Sequence, residues 1–102
     1  MKDDRVYLQH IRDAITDVIG YTRSGRDVFL NDRMRQDATL RKLEVIGQAV
    51  KNLSDACKLR EPSIPWRQFI HDYFGVNLEI VWGVIEKELP KLNDAVHRLL
   101  LP

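Results

Sequence analysis

An all-α fold, an up-and-down bundle of four to five helices, is what three features of this sequence predict. Apolar residues recur at steps of three and four along most of the chain. Glycines, prolines and capping residues cut that rhythm into helix-sized blocks joined by short connections. No stretch keeps the period of two that a half-buried strand requires. Short connections make successive helices antiparallel neighbours.

Asp3 or Asp4 caps a first helix running to about Thr22. Leu8, Ile11, Ile15, Val18 and Tyr21 form its buried stripe, with Val6, Ala14 and Ile19 beside it. Asp13 and Asp17 lie four apart and share a face. No histidine, third acid or glycine-rich loop stands near enough in sequence to complete a metal site, so they read as solvated charge. His10 precedes core-facing Ile11 and is expected at the surface or a dimer edge. Gly20, Ser24 and Gly25 then argue for a break over residues 23–31, with Phe29 and Leu30 tucked inward.

Asn31 or Asp32 caps a long second helix, about 32–59. Met34, Ala38, Leu40, Leu43, Ile46, Val50, Leu53 and Cys57 keep its rhythm. Gly47 interrupts the pattern at a cost of about 1 kcal/mol against alanine, and a glycine there admits close approach of another helix. Cys57 continues the apolar stripe and reads as a packed thiol. Glu61-Pro62-Ser63-Ile64-Pro65 ends that helix, with Ser63 or Ile64 at the next cap position. Pro65 opens a short third helix over about 65–73, which Gly75 stops. Asn77 caps a fourth, with Leu78, Val81, Trp82, Ile85 and Leu89 on one stripe. Pro90 is expected to kink that helix or start a new one carrying Leu92, Val96, Leu99 and Leu100.

At 102 residues the chain makes one domain with a modest core, part of which a partner is expected to close. A hydrophobic content of 44% excludes general disorder. The single cysteine excludes an internal disulfide and a thiolate metal cluster, and fits a reducing compartment. No apolar run reaches bilayer length. Met1-Lys2-Asp3-Asp4 carries acids where a signal peptide needs bases and an apolar stretch, so a cytoplasmic location is expected. Net charge is +1, but residues 23–60 hold nine Lys/Arg against five acids. That basic middle reads first as a solvated helix face, and second as a surface for phosphates or an acidic partner.

Chemistry is concentrated in Ile64-Pro65-Trp66-Arg67-Gln68-Phe69-Ile70-His71-Asp72-Tyr73-Phe74-Gly75-Val76-Asn77. Arg67 and His71 lie four apart, so one α-helical turn would set them on one face. An imidazole moves protons near neutral pH and a guanidinium holds an anion, a pairing suited to phosphodiesters.

Together with Gln36-Asp37-Ala38 and Leu43-Glu44-Val45-Ile46-Gly47-Gln48-Ala49-Val50-Lys51-Asn52-Leu53-Ser54, the segments Ile64-Pro65-Trp66-Arg67 and His71 to Trp82 resemble the HepT-like toxins of the HEPN superfamily, the DUF86 proteins. The resemblance covers nearly the whole chain in the same order. It implies a single HEPN-like helical domain over residues 1–102, which forms a homodimer. It implies a metal-independent ribonuclease with no cofactor, whose motif is an arginine, four to six residues, then a histidine, facing its copy across the dimer. It further implies a minimal nucleotidyltransferase (MNT) antitoxin that transfers AMP to a tyrosine two residues after that histidine. By position His71 matches the histidine and Tyr73 the acceptor.

The chain departs from the family pattern before His71. Only Phe69 and Ile70 stand where the family carries several more residues, including the motif arginine, a loss of about seven, or about 10 Å of helix. Arg67 aligns with the arginine after the tryptophan, not with the catalytic one. Either Arg67 substitutes for the missing group or the site is disarmed, and the strictness of active-site geometry favours the second. RNA cleavage is then weak or lost, while dimerisation and antitoxin binding persist. A substrate-binding subunit of a nucleotidyltransferase is the remaining alternative. Asp72 is expected to face solvent or to orient His71 or an arginine. Trp66, Phe69, Phe74 and Trp82 read as core or dimer packing rather than a base-stacking platform, because bases are scarce around them. His97 falls on a polar face of the last helix.

Overall fold

The computed structural model describes residues 3–70 and 77–102. His71, Asp72, Tyr73, Phe74, Gly75 and Val76 lie outside that set. Most of the described residues are helical, with no strand among them. Helix α1 spans Asp4–Thr22, α2 Arg26–Asn31, α3 Arg33–Asn52 and α4 Asp55–Leu59. A 3₁₀ turn covers Trp66–Ile70. Then come α5, Leu78–Gly83, a π-helical turn, Val84–Glu88, and α6, Leu89–Leu100.

Each start has a local cause. Asp3 caps α1, its carboxylate accepting from the Arg5 N–H at 2.9 Å. Asp32 caps α3 in the same way, accepting from the Arg35 N–H at 3.2 Å. Asn77 caps α5, accepting from the Glu79 N–H at 2.8 Å. Gly25 adopts φ 99°, a conformation that side chains avoid, and so turns α1 into α2.

Hydrogen bonds at the helix ends fix the directions. Asp4, at the start of α1, bonds Ser54 just past the end of α3. Arg35, at the start of α3, donates to the Tyr21 carbonyl at the end of α1 at 3.0 Å. These two helices are therefore antiparallel. Arg5 donates to the Leu100 carbonyl at 3.0 Å, and the far end of α1 lies beside Leu89 and Pro90. Helix α6 is thus antiparallel to α1 as well, and runs the same way as α3. The buried stripe of α1, through Leu8, Ile11, Ile15 and Val18, closes the core between them.

Four features differ from those the sequence suggests. The interval 23–31 is not bare loop but contains α2, whose Phe29 is fully buried. The long second helix breaks after Asn52. Ser54 causes this, because its hydroxyl caps α4 by accepting from the Cys57 N–H at 3.1 Å. Met34, placed on the buried stripe, is 82% exposed. It stands nine residues before Leu43, about half a turn away on an α-helix, and Thr39 takes the inward position instead. Finally, the segment after Pro65 winds as a 3₁₀ turn rather than an α-helix as far as Ile70. At Pro90 the winding neither stops nor restarts: the chain runs on from α5 through the π-helical turn into α6, Glu88 and Leu89 both keeping right-handed helical angles. Proline has no N–H to donate, and the Leu89 N–H reaches back five residues to Val84.

Candidate functional site

The one motif residue among the described set is Arg67, on the 3₁₀ turn. Three side chains anchor that turn. Ile64, Trp66 and Phe69 are all buried, at 7%, 7% and 2% exposure. The Trp66 indole N–H is shared between two carbonyls, Lys58 at 3.1 Å and Glu61 at 3.2 Å. Glu61 is itself clamped by Arg98 of α6, whose Nη2 and Nε donate to its carboxylate at 2.7 and 3.1 Å. That paired guanidinium holds the Glu61 carboxyl below the usual glutamate range, by hydrogen bond first and charge second. The turn is thus tied to the end of α4 and, through Glu61, to α6.

Its other support is α3. A Cβ built on Gly47 would lie 2.6 Å from the Phe69 backbone oxygen and 3.5 Å from the Ile70 Cα. The close approach expected at Gly47 is therefore made by the 3₁₀ turn. Arg67 itself is exposed and has no ion-pair partner among the described residues. An exposed guanidinium can hold a phosphate. His71 and Tyr73 fall outside the described residues, so the pairing of Arg67 with His71 and the acceptor position are sequence expectations.

Other polar candidates resolve into structure. Asp17 pairs with Lys42 at 3.0 Å, and Asp13 with Arg12 at 3.2 Å. His10 is exposed and meets the edge of Tyr7 at 6.1 Å. His97 is exposed and its Nδ1 lies 2.7 Å from the Asn93 carbonyl. Cys57 is a buried free thiol whose pKa burial pushes up. Trp66 and Phe69 pack inward, while Trp82 tilts against Phe29 with ring centres 5.5 Å apart. The basic middle is partly neutralised, since Arg26 reaches Glu79, Arg35 reaches Asp32 and Arg41 reaches Glu44.

Sequence reasoning missed the Glu61–Arg98 clamp and the Asp4–Ser54 tether. Their members lie 37 and 50 residues apart, and no local pattern signals pairs so distant. No described helix is long and apolar enough to cross a membrane.

A family model described as HepT-like, ribonuclease HepT-like, matches residues 11–99. A Methanocaldococcus jannaschii protein named as a "putative RNase" is 40% identical over 101 residues, covering 91% of this chain and 82% of its own length. A "probable ribonuclease HepT" of Thermococcus cleftensis is 36% identical over 101, covering 91% and 92%. A "gamma-glutamylcyclotransferase and putative RNase" of M. jannaschii is 36% identical over 107, covering 97% of this chain. The chain spans about half of that last relative, 48% of its length. No solved structure matches.

Proposed function

We infer the function from one premise: this chain belongs to the HepT-like ribonuclease family. The reading it supports is the HEPN toxin of a HEPN/MNT toxin–antitoxin pair, a metal-independent RNA endonuclease by descent, impaired here by a shortened Arg–His motif. In the ancestral chemistry an imidazole at the position of His71 takes the 2′-hydroxyl proton or protonates the leaving oxygen. A guanidinium stabilises the charge growing on the phosphate. The 2′-hydroxyl is the nucleophile, which restricts cutting to RNA.

The observation that carries the impairment is the winding of Trp66–Ile70. A 3₁₀ turn rotates about 120° per residue, so two positions four apart on an uninterrupted one, of which the structure describes the part from Arg67 to Ile70, would stand about 120° apart. An α-helix would bring them within about 40°. The offset that would let Arg67 stand in for the family arginine is an α-helical one.

The same shortening favours a second reading, a catalytically inactive helical dimer that still binds its nucleotidyltransferase antitoxin. The substrate-binding subunit is a third. Purified chain, with Arg67→Ala and His71→Ala variants, is assayed on RNA in excess chelator, then incubated with the nucleotidyltransferase and ATP. Residual cleavage that His71→Ala abolishes, with AMP mass added to the Tyr73 peptide, supports the toxin reading. AMP addition without any cleavage supports the second. Stable complex formation with neither supports the third.

A further inference from the structure

We infer that Gly47 is a positioning residue for the site: its bare Cα sets how closely the turn bearing Arg67 approaches α3, and so where that guanidinium meets an RNA phosphate. This rests on the reading of Arg67 as part of an RNA-facing site.

Four glycines are described, and they behave differently. At Gly20, Gly25 and Gly83 a Cβ would meet nothing within 4 Å. At Gly47 it would meet the Phe69 oxygen at 2.6 Å, the Ile70 Cα at 3.5 Å and the Phe69 carbonyl carbon at 3.7 Å. All three atoms are backbone, so no rotamer change relieves the overlap. Ordinary contact begins at 3.4 Å, so the turn would have to withdraw by about 0.8 Å. It has little freedom to swivel instead. Phe69 is 2% exposed, and the Trp66 indole donates to the Lys58 and Glu61 carbonyls. Arg67 lies between those two anchors. A displacement of the turn therefore moves Arg67 with it, and shifts near 1 Å are large on the scale of phosphate positioning.

The test is a cycle of Gly47→Ala and Arg67→Ala. Binding of a short single-stranded RNA is read at low ionic strength, where single phosphate contacts weigh most. Each variant is also made with Gly20→Ala and Gly83→Ala, which occupy open space and restore helix stability. The inference expects each single change to weaken RNA binding several-fold, and the double change to be no worse than either. The stabilised background should raise the melting temperature without restoring RNA binding, which a merely structural role would not predict. Parent-like binding by Gly47→Ala, or losses that multiply, overturns the inference. If Arg67→Ala binds RNA as the parent does, the RNA-site reading falls instead. The Trp66 indole and Ile70 amide resonances then decide for Gly47 alone: displaced signals uphold its control of the turn, and parental ones refute it.

Discussion

Asp4 holds Ser54 through both carboxylate oxygens, at 2.8 Å from the Ser54 N–H and 2.6 Å from its hydroxyl. Fifty residues separate the two, and the bond ties the first turn of α1 to the cap of α4. It also lowers the Asp4 pKa, the Ser54 hydroxyl contributing most and the Ser54 N–H next. A carboxyl whose folded pKa is depressed adds stability above its unfolded value, and that stability fades as pH falls through the folded one.

Asp4→Asn should therefore cost about 1 kcal/mol at neutral pH, by loss of a charge-assisted acceptor. The gap from the parent should narrow as pH falls below about 4, the ordinary aspartate value, and on through the lower folded one. Denaturant melts across pH check this, and a gap that widens in acid contradicts it.

Trp66→Phe keeps a buried ring but removes the donor shared by the Lys58 and Glu61 carbonyls. A loss of about 1 kcal/mol is expected, seen as a lower denaturant midpoint with an unchanged slope.

Gly20→Ala and Gly47→Ala should have opposite signs. The first fills open space in a helix and should gain up to about 1 kcal/mol. The second collides with the Phe69 carbonyl and should lose about 1–3 kcal/mol, as overpacking does. Thermal melts of the two single variants compare them directly.

Cys57 should alkylate slowly in the folded chain near pH 8, because burial raises its pKa and covers its sulfur. Labelling in denaturant should be fast, and equal rates in the two states would contradict the packing.

How far the fold could be read beforehand depended on the reach of the signals. The caps Asp3, Asp32 and Asn77 act within three residues, so their positions were legible. So was a disturbance of the helix at Pro90, because a missing N–H is a local fact, although the π-helical turn that absorbs it without a break was not. The break at Ser54 was not, since the residue can cap or continue a helix and the distant Asp4 helps decide which. Met34 was misplaced because a stripe of threes and fours drifts, and exposed Met34 lies half a turn from Leu43. In the site, Gly47 was readable as a point of close approach, whereas the 3₁₀ winding that carries Arg67 was not. A short proline-led segment has too few residues to reveal its period.

Cleavage of RNA by the present chain, set against a chain with about seven helical residues including an arginine restored between Gln68 and His71, tests the central claim most directly. Both are assayed in excess chelator. The account predicts that the lengthened chain cuts, and that the present one is slower by about 10²-fold or more, the scale expected when a catalytic group is misplaced. Equal rates would contradict it, and would make Arg67 a working substitute.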